Sequence, residues 1–97
     1  MPEKSTRADV LNEASEAIHG DRNTHYGTPM ENFDRIAQYW TIYLANRRLK
    51  KIKPGDVANM MILLKIARGM NLPTKDTYVD IAGYAACGWE TMEQRGA

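Results

Sequence analysis

The apolar residues of this chain recur every three or four positions in four stretches, and that spacing predicts four helices. The stretches cover residues 7–19, 29–48, 54–68 and about 76–94. Thr28 and Pro29 mark the start of the second helix, because threonine caps helix N-termini well and proline suits the first helical position. No alternating apolar and polar run indicates a strand. Joined by short connections, the four helices predict an all-α protein folded as an antiparallel four-helix bundle.

The third and fourth predicted helices have the fewest polar residues. The fourth is apolar on almost every side, which is typical of a buried helix, yet it contains Asp76 and Asp80 one turn apart. A buried carboxylate is costly unless a cation or hydrogen bonds compensate its charge. We therefore expect a positive group opposite the two aspartates. The candidates are a divalent metal ion, or Lys65 and Arg68 of the third helix.

Length and composition limit the possible classes of protein. A chain of 97 residues fits a single domain spanning residues 1–97, in which the polar residues 1–6 are expected to be disordered. The net charge of +1 provides no broad positive surface, so neither nucleic acid nor a membrane is expected as a partner. No apolar run reaches the roughly 20 residues of a membrane span, and we expect a cytoplasmic protein. The almost entirely apolar third helix predicts at least a dimer, because four short helices leave part of it uncovered.

Acidic side chains at helical spacing are the main candidates for chemistry. Three pairs lie three or four residues apart, namely Glu13/Glu16, Glu31/Asp34 and Asp76/Asp80. Inward carboxylates from facing helices of a bundle can hold Mg²⁺ or Mn²⁺, with water and substrate phosphate completing the metal's shell. A simpler explanation exists for each pair. Glu13 and Glu16 could be solvated residues that flank the apolar stripe, and Asp76 could only cap its helix. Glu31 also fits a capping box with Thr28, and Asp80 also fits an ion pair with Lys65 or Arg68.

The loop between the first two predicted helices is rich in hydrogen-bonding and cationic groups. Arg22, His25 and Tyr26 all lie within residues 21–27. Loops on rigid scaffolds often carry binding groups, so this segment is a candidate ligand loop. A turn whose Tyr26 packs back on the core is the simpler alternative. The basic residues 46–53 are interpreted as a solvated helix end and turn, with contact to an anionic ligand or partner as the alternative.

Four segments of the sequence, taken together, resemble a known family. They are Tyr26-Gly27 and residues 33–40, 61–68 and 76–84. Their order is similar to that in small, mostly phage-encoded proteins of unassigned function, which look like divergent relatives of the MazG-type all-α nucleoside triphosphate pyrophosphohydrolases. The resemblance covers residues 8–90. It implies a helical dimer or tetramer, located in the host cytoplasm if the chain is phage-encoded.

In the MazG-type enzymes, Glu-x-x-Glu on one helix and Glu-x-x-Asp on the next hold Mg²⁺, and water attacks between the α- and β-phosphates. The resemblance implies that Asp80 is the aspartate of the second motif. It also implies catalytic roles for Asp80, Asp76 and Glu31. The metal ligands that it implies are Asp76, Asp80, Glu31 and Asp34. The nucleotide contacts that it implies are Lys65, Arg68, Arg22, His25, Tyr26 and Tyr84.

The sequence departs from the enzyme motifs at two points. Asp76 lies four rather than three residues before Asp80, and the preceding helix offers Lys65 and Arg68 where the enzymes have glutamates. A second alignment places the motifs at residues 13–16 and 31–34. Three functions therefore stay open. They are Mg²⁺-dependent hydrolysis of a nucleoside triphosphate or modified nucleotide, nucleotide binding without turnover, and interaction of a helical protein with a host partner.

Overall fold

The computed structural model describes residues 4–20 and 25–95, which are mainly helical and contain no strand. The helices are α1 Arg7–His19, α2 Pro29–Arg47, α3 Pro54–Gly69 and α4 Lys75–Arg95. The all-α class and the four predicted helices are confirmed. None of the described helices has the length and hydropathy needed to span a bilayer.

The predicted disorder of residues 1–6 stays a prediction. Residues 1–3 lie outside the described part of the chain. Thr6 is the N-cap of α1, because its Oγ1 accepts a hydrogen bond from the backbone N–H of Asp9 (3.3 Å). The Asp9 carboxylate in turn accepts one from the backbone N–H of Thr6 (2.8 Å). This capping box satisfies two amides at the helix start.

Helices α3 and α4 are antiparallel neighbours. A Cβ atom added at Gly69, at the end of α3, would lie 2.9 Å from Thr77 near the start of α4. A Cβ added at Gly55, at the start of α3, would lie 3.2 Å from Met92 near the end of α4. The contacts thus run in opposite order along the two helices. Glycine permits this close approach because it has no side chain.

Helix α2 lies antiparallel to α3 on its other side. Arg35 Nε, in the first half of α2, donates a hydrogen bond to the carbonyl of Ala67 (3.2 Å). Trp40 Nε1, further along, donates to the carbonyl of Met60 (2.7 Å), which lies earlier in α3. Helices α2 and α4 make no contact with each other in the described residues. The three helices therefore form a row with α3 in the middle.

Helix α1 packs against none of the other three described helices. Its apolar stripe is correspondingly exposed, with Leu11 at 67% exposure and with Val10 and Ile18 more than half exposed. The predicted antiparallel order is therefore present in α2, α3 and α4. A single chain does not close the row into a four-helix bundle, because α1 does not cover it.

The outer face of α4 is also uncovered, which corrects the expectation that this helix is buried. Tyr78 and Val79 are exposed near its start, and Trp89 is 65% exposed near its end. Only the side of α4 that faces α3 is shielded, as at the buried Gly88. An apolar sequence on all sides predicts burial, but within one chain α4 has a neighbour on one side alone.

A buried carboxylate joins the end of α2 to the start of α3. Asp56 is only 2% exposed. It accepts hydrogen bonds from Tyr43 Oη (2.6 Å), Arg47 Nε (3.0 Å) and the backbone N–H of Lys53 (3.0 Å). Asn59 Nδ2 donates to Tyr43 Oη (3.0 Å). The hydrogen bond from Tyr43, followed by that from the Lys53 backbone, lowers the pKa of Asp56 below its usual value.

We expect Asp56→Ala to lower the free energy of unfolding by about 2–3 kcal/mol, because it removes a buried charged acceptor that three hydrogen bonds share. Asp34→Ala is the matched control. Asp34 is exposed on α2 and accepts one hydrogen bond, from Gln38, so its loss should change the free energy by less than about 0.5 kcal/mol. Urea titration measures both variants, and equal losses would contradict the role given to Asp56.

The stability difference between wild type and Asp56→Ala should depend on pH. The pKa of Asp56 is lowered in the folded protein, whereas the unfolded value is about 3.9. Ionised Asp56 therefore stabilises the fold above that value, and the contribution is lost as pH falls through the folded pKa. The urea midpoints of the two proteins should therefore approach each other as the pH is lowered from about 5 towards the folded pKa. A constant difference over this range would show that ionisation of Asp56 is not involved.

Candidate functional site

A small cavity opens between the last turns of α3 and the first turns of α4. Its volume is about 50 Å³, enough for a few water molecules. Its lining residues are Tyr26, Lys65, Arg68, Thr74, Asp76, Thr77 and Asp80. Five of these seven are sequence-predicted site residues. The fold thus brings the cations of α3, the aspartates of α4 and the tyrosine that precedes α2 to one place.

Asp80 has the cationic neighbour that we expected opposite it. Lys65 Nζ lies 2.9 Å from Asp80 Oδ2. The two side chains are 20% and 46% exposed, so this ion pair is partly solvated rather than buried. Asp76, one turn earlier, is exposed and forms no ion pair with a described residue. A pair in this setting contributes at most about 1 kcal/mol to stability, so holding the fold together is a weak explanation for it.

Arg68 carries the unusual polar atom of this site. Its guanidinium carbon lies 5.3 Å from the centre of the Tyr26 ring, which is a cation–π contact. Its Nε is buried and has no hydrogen-bond partner among the described residues. Burial of an unpaired charged donor is unfavourable, so a water molecule or a ligand atom is the expected partner.

Arg35 positions Tyr26 at this site, and sequence reasoning missed it. Arg35 Nη2 donates to the carbonyl oxygen of Tyr26 (2.8 Å), and Nε donates to that of Ala67 (3.2 Å), the residue before Arg68. One side chain of α2 therefore ties the loop to the end of α3. No signal in the sequence singles Arg35 out, because its partners are backbone carbonyls, which every residue has.

Two threonines supply further polar atoms of the cavity. Thr74 Oγ1 accepts a hydrogen bond from the backbone N–H of Thr77 (3.3 Å), and so Thr74 caps α4. The two hydroxyl oxygens lie 3.2 Å apart. Sequence reasoning did not include them among the site residues. Threonine at a helix start is explained by its capping role alone. The sequence therefore gives no reason to assign it to a site.

The other predicted metal ligands lie outside the cavity lining. Glu31 Oε1 accepts a hydrogen bond from the Thr28 hydroxyl (2.9 Å), and Thr28 Oγ1 accepts one from the Glu31 backbone N–H (3.2 Å). Asp34 Oδ2 accepts a hydrogen bond from Gln38 Nε2 (2.8 Å). Residues 13–16 belong to α1, which packs on no other described helix. Within the described ranges, no three His, Cys, Asp or Glu residues lie close enough together to hold a metal ion.

The remaining predicted nucleotide contacts are Tyr84, His25 and Arg22, of which Tyr84 and His25 are described and do not line the cavity. Tyr84 is half-buried one turn beyond Asp80 and is not part of the cavity lining. The His25 ring lies beside the Tyr26 ring, with 6.2 Å between their centroids. Arg22 lies outside the described residues. The described site is therefore centred on the cavity, with His25 adjacent to it.

The chain belongs to a protein family. The family model described as "Domain of unknown function (DUF6378)" matches residues 9–92, most of the chain. Similar proteins include the Gene 55 protein of Mycobacterium phage D29, 48% identical over 79 residues, and the Gene 55 protein of Mycobacterium phage L5, 52% identical over 77 residues. The predicted resemblance to phage-encoded proteins is confirmed.

The length of these relatives differs from that of the chain. The two alignments cover 80% and 78% of this chain, but 50% and 47% of the phage proteins. The chain thus spans about half the length of the curated relatives it matches. No solved structure matches it.

The partly solvated ion pair predicts a small coupling between Lys65 and Asp80. In a double-mutant cycle with Lys65→Gln and Asp80→Asn, we expect a coupling energy below about 1 kcal/mol in urea unfolding. A buried structural pair would instead give a strongly destabilised single variant, at about 3 kcal/mol or more. That outcome would mean that the pair serves the fold rather than a ligand.

Proposed function

We propose that the protein binds a nucleotide and that Lys65 and Arg68 contact its phosphates. The observation that carries this proposal is the buried, unpartnered Nε of Arg68, on a side chain that lines the cavity. Charge-assisted hydrogen bonds from a guanidinium to phosphate are strong and specific in geometry. Lys65 adds a second cation one helical turn away, as a compact point charge.

The dimensions of the cavity support a division of the nucleotide into two parts. A volume of about 50 Å³ suits one phosphate group and is too small for a nucleoside. The nucleoside would therefore lie outside, where the rings of His25 and Tyr26 stand 6.2 Å apart. Bases stack on aromatic side chains without strict sequence preference. Arg35 supports this arrangement because it fixes the backbone at Tyr26.

The aspartates take a different role in this proposal. Asp80 holds Lys65 in position at the cavity (2.9 Å). Asp76 is exposed beside it and offers acceptor oxygens to hydroxyl or amino groups of the nucleoside. The site as a whole would then contact both the phosphate and the nucleoside of the ligand. No metal ion is needed for such binding.

A Mg²⁺- or Mn²⁺-dependent pyrophosphohydrolase of the MazG type is the second candidate, and the shared cavity of Asp76 and Asp80 favours it. The donor set is smaller than the four acids of those enzymes. Asp80 is paired with Lys65, and Glu31 is bonded to Thr28. Because the described residues do not fit that metal centre, we derive no hydrolytic step from them.

The proposal predicts metal-independent nucleotide binding that depends on Arg68. In calorimetric titrations with nucleoside mono-, di- and triphosphates in EDTA, Arg68→Gln should weaken binding by about tenfold or more, because it removes a charge-assisted hydrogen bond. Lys65→Gln should also weaken it. Lys75→Gln is the matched control, since Lys75 lies at the same end of α4 and does not line the cavity.

The same samples separate the candidate functions. Pyrophosphate release after addition of Mg²⁺ would establish the enzyme. The absence of binding to every nucleotide by the folded wild type, with and without Mg²⁺, would overturn both nucleotide functions. A helical protein that binds a host partner would then be the remaining candidate.

We also propose that the chain forms a homodimer or homotetramer through its uncovered apolar faces. These are the stripe of α1 with Val10, Leu11 and Ile18, and the outer face of α4 with Tyr78 and Trp89. Large adjoining apolar surfaces are rare on monomeric proteins and mark interaction sites. A second copy of α1 placed on such a face would complete a four-helix, MazG-like bundle.

This assembly predicts that a charge on the α1 stripe dissociates the protein. Leu11→Glu should shift the mass measured by light scattering towards that of the monomer, because a buried carboxylate at an interface is costly. Asn12→Glu adds the same charge at the next position of α1 and should leave the mass unchanged. A monomeric wild type, or equal effects of the two substitutions, would contradict the proposal.

A further inference from the structure

A second cavity lies at the opposite end of α3 from the Lys65 site. Its volume is about 470 Å³, within the range of about 300–1,000 Å³ that is typical of small-molecule sites. Asp56, in its wall, lies nine positions before Lys65 in α3, which corresponds to about 14 Å along the helix axis. This cavity is therefore a separate site, and the inference drawn from it does not rest on the function proposed above.

The rim of this second cavity is positively charged. Arg47, Lys51 and Lys53 line it. Five of the 13 lysines and arginines of the chain occur in residues 47–53, and this segment contains no acidic residue. The net charge of the whole protein is only +1, so the positive charge is concentrated here. Such a concentration favours anionic ligands.

The wall of the cavity fixes one of these cations. Asp56 is buried, and its Oδ1 accepts the Nε hydrogen bond of Arg47 at 3.0 Å. The Arg47 side chain is half exposed, and its Nε is the atom that Asp56 holds. The Tyr43 hydroxyl and the Lys53 backbone also bond this carboxylate and spread its charge. Asp56 therefore orients Arg47 and offers little repulsion to an anion.

The cavity also has an apolar side. Ile52 and Pro54 contribute from the turn before α3, and Met92 contributes from α4. A bare inorganic ion would leave this side in contact with water. A molecule with an anionic group at one end and an apolar body at the other would satisfy both parts of the wall.

We propose that this cavity binds a small phosphomonoester with a flat, ring-shaped body. The phosphate lies at the three cations, and the ring lies against the apolar side. Three cations around one group suit the dianionic charge of a phosphomonoester. A cavity of this volume favours a small molecule over nucleic acid, which needs an extended basic surface.

The probe is adenosine 5′-monophosphate, followed by amide chemical shifts of the ¹⁵N-labelled protein. Saturable shifts are expected at Gly55 and Thr91, which line the cavity. Lys51→Gln should weaken this binding by about tenfold, because it removes one charge-assisted contact. Lys50→Gln is the matched control: Lys50 lies in the same exposed turn, does not line the cavity, and should have an effect within about twofold.

Further measurements distinguish binding in this cavity from binding at the Lys65 site and from non-specific attraction to the basic turn. Arg68→Gln should leave the shifts at Gly55 and Thr91 unchanged, which keeps the outcome separate from that of the nucleotide site. Binding of adenosine alone with equal affinity would overturn the assignment of the phosphate. The absence of saturable shifts, equal effects of Lys50→Gln and Lys51→Gln, or binding of a single-stranded oligonucleotide in place of the monophosphate would overturn the proposal.

Discussion

Helix α3 packs against neighbours on two sides at once, and this constraint sets the rest of the structure. On one side Asp56, at its start, is bonded by Tyr43 and Arg47 of α2. On the other side α4 approaches so closely that a Cβ atom at Gly88 would lie 2.9 Å from the Cβ of Ala58. Because α2 and α4 lie along α3 without touching each other, the space beside each end of α3 stays open. The two cavities occupy these two ends.

The helices could be predicted from the sequence because their boundaries are determined locally. Thr28, Pro29 and Pro54 act within one turn of the helix starts at which they lie, so no knowledge of the fold is needed to interpret them. The packing could not be predicted in the same way. The stripe of α1 shows that one face is apolar, but periodicity does not specify what covers it, and no described helix does. For the same reason α4 was expected to be buried and is half uncovered.

The candidate site was predictable where charge forced a pairing. Asp80 among apolar residues required a cation, and Lys65 lies 2.9 Å from it. Arg35 was not predictable, since it bonds backbone carbonyls, which every residue has, at positions 9 and 32 residues away in sequence. The Asp56 network was missed because an aspartate in the first turn of a helix already has a sufficient local explanation. Side-chain contacts between distant segments leave little trace in a single sequence.

The two ends of α3 differ in charge, and this difference bears on specificity. At the Lys65 site two cations face two carboxylates, so a phosphate bound there would gain little from the net charge and would rely on directed hydrogen bonds, such as one from Arg68 Nε. A ligand that also donates hydrogen bonds to Asp76 gains most there, and nucleosides have such hydroxyl and amino groups. At the basic end Arg47, Lys51 and Lys53 line the cavity together with a single carboxylate, which Arg47 bonds, so charge alone would attract a phosphate there. The first site would therefore select by the pattern of donors and acceptors, and the second by charge and shape.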